Sequence, residues 1–439
     1  MTLPFRQRIY EMLMESQYWP PAQMLEYQRS QLTQLLKHAK ANVPFYQSRL
    51  DCVFKANGEI DWKRWNEIPI VRRQNLVDDR ENMLATQLPA GHGATWDTYS
   101  SGSAGKPITV RHNLLEGWVS HGGLYRSERW HDVDWSRPFL SWQGDDNMVS
   151  NWPNGDERES WGPDWLATEQ LGKAYNLNRA TPQENVIEFM RRKKVPYFAS
   201  RPKLVQSLAL ASKRAKIPVK LDVVITFGTG ATEDERNDFA HILGAKTLSI
   251  YSSGEGCKMA CTCETGLHYH ISEELVFLEV LDGDGRPCEI GQPGRVIITP
   301  MFNTTQPLVR YETGDIAIRG QSCSCGKQLP VLQEISGRIT DLFRFPDGQI
   351  VSPSLPAKDF CTNFGSKTWQ LVQTGPLEVE LRYVITDPDV TPNRAYAIDA
   401  IHRRIRPDLS VKFVVLSETP ITPAGKFIQY KSELINSMA

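Results

Sequence analysis

The sequence predicts an α/β protein with a large layered N-terminal part and a small α+β unit after it. Three stretches carry that prediction. Residues 221–227, LDVVITF, form a continuous apolar run, the pattern of a strand buried on both faces. GTGATEDER follows, a glycine-bearing turn that leads into a helix over 233–243; residues 183–193 also have helical spacing. Strands and helices that alternate in this way build a layered sheet. From about residue 270 the texture changes, and ELVFLEVLDGDGRPCEIGQPGRVIITP reads as strand, Asp-Gly turn and strand. Antiparallel structure therefore follows the α/β body.

The remaining elements follow in order. In SQLTQLLKHAKA (30–41), Leu32, Leu35, Leu36 and Ala39 fall on one helical face. Pro44 ends that helix, because proline lacks an N–H and restricts its predecessor. Seven tryptophans lie between 118 and 165, enough for core packing or for an aromatic pocket. Near the C-terminus, LEVELRYVI alternates Leu377, Val379, Leu381 and Tyr383, a half-buried strand. Ile398, Ile401 and Ile405 mark one face of a helix, and VKFVVLS is a further strand. GRITDLFRFPDG (337–348) precedes this unit and sets the expected junction, with domains at 1–339 and 340–439.

The chain has 439 residues, 23% of them charged, and a formal net charge of -1. No long run of one sign supports a nucleic-acid footprint or a polybasic membrane patch. The N-terminus has no apolar signal region, and no stretch nears the ~18 apolar residues of a spanning helix. A cytoplasmic protein that binds neither nucleic acid nor membrane is expected.

Residues 98–107, TYSSGSAGKP, group hydroxyls, glycines and a lysine between two strand-like flanks. Such a hairpin turn offers backbone N–H groups and hydroxyls to phosphate oxygens. It is no Walker loop, because Ser100 stands where that pattern has glycine and Pro107 follows Lys106. By itself it is equally a polar hairpin. Four further stretches change the weighting: Ile250-Tyr251-Ser252-Ser253-Gly254-Glu255, Leu308-Val309-Arg310-Tyr311-Glu312-Thr313-Gly314-Asp315, Ser336-Gly337-Arg338-Ile339-Thr340-Asp341 and Thr422-Pro423-Ala424-Gly425-Lys426. Each alone is a turn, and a lone lysine near a C-terminus is usually solvated.

Their order and spacing together resemble the acyl-adenylate-forming superfamily. Its phosphate loop runs roughly Ser/Thr-Ser-Gly-Ser/Thr-Thr/Ser/Ala-Gly-x-Pro, and Ser100 to Pro107 fits at every position. LLKHAKANVPFYQSRL (35–50), IPIVRRQNL (68–76) and ITFGTGATEDERNDFAHILGAKTLSIYSSGE resemble its phenylacetate–CoA ligase branch. The resemblance implies a large N-terminal domain of α/β layers with a β-barrel-like part, and a small mobile C-terminal domain.

It also implies ATP-dependent activation of a small, aromatic carboxylic acid to acyl-AMP, with pyrophosphate released and the acyl group then passed to CoA. Ser100, Ser101, Gly102, Ser103 and Lys106 would hold the β- and γ-phosphates. Glu255 would hold Mg²⁺, a hard cation suited to oxygen ligands. Thr229, Gly230, Ala231, Tyr251 and Ser252 would border the nucleotide, and Asp315 would accept from the ribose hydroxyls. Arg338 would reach the ribose or α-phosphate. Lys426 would meet the carboxylate and α-phosphate, and Asp341 would be the hinge. Two departures stand out: Gly254 replaces the hydroxyl residue usual before the glutamate, and Thr229-Gly230-Ala231 replaces a segment that carries a Gly-Glu pair.

Five of the eight cysteines fall in two tight groups, which without a secretory signal suggests metal before disulfide. Cys261 or Cys263, with His268 or His270, and the knuckle Cys323-Ser-Cys325 supply the four ligands of a closed structural Zn²⁺ site. His270-Ile271-Ser272-Glu273 matches the branch, which selects His270, and counting back selects Cys263. Two other functions compete. One is an adenylating ligase that passes its acyl group to an amine, hydroxyl or carrier-protein thiol; the other is a binding protein that keeps the fold without the chemistry. A homodimer is compatible with either.

Overall fold

The computed structural model describes residues 4–99, 108–143, 152–228, 230–231, 233–266, 268–338, 343–351, 353, 355, 360, 363–366, 368–385, 391–418, 420 and 428–434. The chain forms two compact units. One comprises Met1–Tyr99, Thr109–Thr313 and Ala317–Ile335; the other comprises Ser100–Ile108, Gly314–Ile316 and Ser336–Ala439.

The first unit is built on one sheet of 12 strands. Its parallel part contains, in spatial order, Ala174–Leu177, Phe139–Trp142, Tyr197–Ser200, Val223–Thr226 and Lys246–Ser253. The apolar run at 221–227 supplies Val223–Thr226, and all four of its residues are buried. It lies between two parallel neighbours, which is why it does not alternate. Helices Gln183–Lys193 and Pro202–Ala215 connect these strands, and Val186, Phe189, Val205 and Leu208 pack against Leu140, Phe198 and Val224. The helix expected over 233–243 is α-helical over Glu233–Asp238 and widens to a π turn over Phe239–Leu243. Gly244, at φ 67°, closes it in a left-handed conformation that favours glycine.

Lys246–Ser253 is the seam of the sheet. It runs parallel to Val223–Thr226 on one edge and antiparallel to Cys257–Thr262 on the other. Beyond it lie Tyr269–Ile271, Val331–Arg338, Tyr311–Arg319, Pro293–Pro300 and Val276–Leu281. The last two pair antiparallel around the Asp-Gly turn that the sequence predicts.

The N-terminal helices brace this sheet. Helix Pro21–Asn42 buries Leu32, Leu35, Leu36 and Ala39, as their spacing requires. It starts earlier than the apolar stripe, at Pro21, whose missing N–H costs nothing in a first turn. Helix Phe5–Ser16 crosses Leu114–Trp130 at Gly122, where an added Cβ would stand 3.1 Å from Leu13 Cδ1. Arg126 from the second of these helices donates to Glu274 Oε1 at 2.6 Å, and Ser16 from the first donates to the same oxygen at 2.6 Å. Both charged groups are buried. No helix among the described residues is long and apolar enough to cross a membrane.

The second unit holds a sheet of four strands in the order Ser410–Leu416, Glu378–Val384, Thr368–Gly375 and Tyr430–Ser432, with helix Arg394–Arg404. Val379, Leu381 and Tyr383 are buried in alternation, while Leu377 precedes the strand. The helix face differs from the expected one. Ile401 and the C-cap Ile405 are buried as expected, but Ala397 and Ala400 complete that face while Ile398 is partly exposed. Alanine carries little side-chain volume, so this face can lie close to the sheet.

Candidate active site

The strand-like flanks of TYSSGSAGKP form the antiparallel pair Thr95–Tyr99 and Thr109–Asn113, with Tyr99 opposite Thr109. The turn between them lies outside the described residues, and with it Ser100, Ser101, Gly102, Ser103 and Lys106. Thr229, Asp341 and Lys426 also lie outside. The other expected residues can be placed.

Glu255 sits in the turn that leaves the seam strand. Ser253 Oγ accepts from the backbone N–H of Glu255 at 3.3 Å and of Gly256 at 2.9 Å, which fixes the turn. Tyr311 Oη donates to Glu255 Oε1 at 3.2 Å from a strand 56 residues further on. Among the described residues nothing else bonds that carboxylate, so it keeps lone pairs for a hard cation. Tyr251 is buried, and Ser252 lies opposite Lys258 in the ladder.

Thr98 joins the hairpin to this turn. Its hydroxyl lies 3.4 Å from Gly254 O and 2.9 Å from His112 Nε2. His112 Nδ1 in turn meets Glu116 Oε2 at 2.8 Å, both groups being buried. Burial alone lowers the His112 pKa, but the hydrogen bond and charge of Glu116 outweigh it and hold the imidazole above its usual range. Trp96 stacks on the ring with centroids 5.6 Å apart. At Gly254, an added Cβ would stand 3.8 Å from Thr98 Oγ1. The hydroxyl absent at position 254 therefore has a neighbour supplied by another strand. Sequence reasoning missed Thr98, His112, Ser253 and Tyr311 as supports, because three of their contacts span more than 10 residues.

Asp315 is half-buried on Tyr311–Arg319, after Gly314 at φ 81°. Arg338 ends strand Val331–Arg338. Gly230 and the buried Ala231 follow the C-terminal end of Val223–Thr226, the end at which open parallel sheets bind ligands. A Cβ at Gly230 would stand 3.3 Å from Tyr269 Oη.

The cysteine and histidine groups converge apart from this turn. The donor atoms of Cys263, His270, Cys323 and Cys325 all lie within 4.8 Å of one another. Cys263 Sγ and Cys323 Sγ are 3.7 Å apart, and Cys325 Sγ is 3.4 Å from His270 Nε2. A tetrahedral ion with bonds of ~2.3 Å to sulfur and ~2.0 Å to nitrogen has edges of ~3.8 and ~3.5 Å, so these donors fit zinc. Burial lowers His270 to about 4, which keeps its ring neutral. His270 Nδ1 lies 3.2 Å from Leu329 O, so a proton there leaves Nε2 facing the cluster. Cys261 pairs opposite His270 in the ladder and His268 lies outside the cluster.

The solved 2-hydroxyisobutyryl-CoA ligase in its postadenylation state superposes with a TM-score of 0.72 at 16% identity, covering 95% of this chain and 91% of that one. The chain has the fold of that ligase. An amide bond synthetase from Marinactinospora thermotolerans shares this fold with a TM-score of 0.51 at 14% identity, covering 75% of this chain and 67% of that one. In sequence, the chain is 31% identical over 150 residues to the phenylacetate-coenzyme A ligase of Thermus thermophilus. That match covers 32% of this chain and spans about a third, 34%, of the relative's length. No protein-family model matches the chain.

Proposed function

We propose that this adenylate-forming chain is an ATP-dependent, AMP-forming acid–CoA ligase for a small, aromatic carboxylic acid. The observation that carries the reading is the convergence of three distant motifs at one turn: Thr98 on Gly254, and Tyr311 on Glu255. The likeness to phenylacetate-coenzyme A ligase supports an aromatic acid, and the CoA-ligase neighbours support the acceptor.

In the first step an oxygen of the acid attacks the α-phosphorus of ATP, and the bond to pyrophosphate breaks. Both partners are anionic, so the site must supply cations and N–H donors. Lys426 takes that role between the carboxylate and α-phosphate. Ser100, Ser101, Gly102, Ser103 and Lys106 hold the leaving pyrophosphate. Asp315 binds the ribose hydroxyls, Arg338 the ribose or α-phosphate, and Thr229, Gly230, Ala231, Tyr251 and Ser252 border the nucleotide. Glu255 would hold Mg²⁺, which would supply neutralisation of phosphate charge. In the second step the CoA thiol loses its proton and attacks the acyl carbon, and AMP leaves; Asp341 is the hinge between the two steps. Cys263, His270, Cys323 and Cys325 would hold a Zn²⁺ whose role is structural.

A pyrophosphate-release screen over aryl and alkyl acids, with and without CoA, tests this reading. An acid that supports release, with loss of activity in Lys426→Ala, is the expected result. Product analysis separates thioester from amide, the outcome that the amide-synthetase likeness keeps in view. Absence of release with every acid, and no effect of Lys426→Ala, would sink the reading in favour of a binding protein.

A further inference from the structure

The proposed chemistry sits at the seam of the large sheet. A cavity of about 200 Å³ lies at the sheet's antiparallel edge, between helix Pro21–Asn42, the 3₁₀ turn Trp62–Glu67 and strand Val276–Leu281. That strand is the outermost on its side, six places from the seam strand. None of the residues proposed for ATP, phosphate or metal lines the cavity.

Its wall is aromatic. The Trp62 and Trp65 rings have centroids 6.1 Å apart, and Trp65 meets Phe277 edge-on at 5.2 Å. Leu32 adds an aliphatic surface. Trp65 and Leu32 are buried, whereas Trp62 and Phe277 keep part of their surface open. An apolar cavity of ~150 Å³ takes a benzene ring, so one substituted ring fits a space of this size. Aromatic side chains receive such a ring by face or edge.

The charge in the lining is a single cation. Arg29 lies over the Trp62 ring, with Cζ 5.7 Å from the centroid. Among the described residues no carboxylate stands at ion-pair distance from it. The indole steadies a guanidinium whose N–H donors have no acceptor, and that planar fork matches a carboxylate. Gln28 is 4% exposed and donates to Glu273 O at 3.0 Å, which fixes its side chain in the wall. Arg310, also buried, pins the frame. It donates to Asn66 O at 2.8 Å and Ile68 O at 2.9 Å, and it pairs at 3.2 Å with Glu279 on the strand that carries Phe277. The cavity is thus built before a ligand arrives, and binding pays little for ordering it.

We propose that this cavity is a second binding site, apart from the reaction centre, for a small aromatic monocarboxylate, with its ring against Trp62, Trp65 and Phe277 and its carboxylate on Arg29. One guanidinium among apolar rings suits a singly charged anion; a phosphate group would need more cations to offset its desolvation. The site goes beyond the ligase reading and stands without it.

The probe is 4-azidobenzoate, photolysed on the full chain and mapped by peptide mass spectrometry. Label is expected on peptides that carry residues 25–32 and 62–66, with benzoate competing and neutral benzamide not. Arg29→Met should lower this label by about 10-fold, the loss of a charge-assisted hydrogen bond, while Arg29→Lys keeps part of it. Label there that is unchanged in Arg29→Met, or that benzamide displaces as well as benzoate does, overturns the carboxylate assignment. Label confined to other segments, or absent, overturns the site and leaves the ligase reading intact. Label at the cavity with no pyrophosphate release from any acid supports the site and overturns the ligase reading alone.

Discussion

Tyr311 donates to Glu255, and that single contact joins two motifs otherwise separated by an entire run of antiparallel strands. Tyr311→Phe removes one neutral donor, so pyrophosphate release should fall by about 5-fold, the equivalent of the ~1 kcal/mol of such a bond. Glu255→Gln removes the anionic ligand itself and should cost more; a magnesium titration of both variants checks the order. Glu128 gives a pH signature. Burial raises it to about 7 from an ordinary 4.5, so the folded state holds a proton that the unfolded chain has lost between those values. Stability from this group therefore declines as pH rises through that window. Glu128→Gln keeps an acceptor for Trp135 and carries no charge. Its melting temperature should exceed wild type at pH 8, with the difference gone at pH 4, as read by scanning fluorimetry.

At the level of elements, the best-read segments were those with a clear apolar pattern, continuous or periodic. LDVVITF, the helix at 183–193 and the alternating strand through Val379, Leu381 and Tyr383 each appear where expected. Pattern failed where packing is made by small or polar residues. Helix Leu114–Trp130 buries Glu116, Ser120, Arg126 and Glu128, which no apolar stripe announces. The convergence of Cys263, His270, Cys323 and Cys325 was legible because C-x-C knuckles are rare, whereas Lys327, whose ammonium lies over Trp130 beside it, was not. Arg126→Ala should leave Glu274 buried and unpaired, at about 3–5 kcal/mol. Arg126→Met with Glu274→Leu should recover much of that loss in urea denaturation. In the same way, chelation of the zinc proposed here, or Cys323→Ser, should lower the melting midpoint while metal analysis falls below one equivalent.

Across the whole molecule, order along the chain carried more than any single motif. The glycine-serine hairpin gains meaning only with Glu255, Asp315, Arg338 and Lys426 behind it in the chain. The supports of the Glu255 turn were illegible because Thr98, His112 and Tyr311 come from segments that meet only in three dimensions.

The seam strand has one further consequence. Lys246–Ser253 gives one edge to parallel partners and the other to antiparallel ones, so no break in the polypeptide near residue 256 separates two finished sheets. Each piece would end in a raw hydrogen-bonding edge shaped to fit the other. Residues 1–255 and 256–439, expressed as separate polypeptides in one cell, should therefore find each other and co-purify, while either piece made alone should aggregate. The strand that organises the sheet would serve as a self-complementing splice point for a split version of this chain.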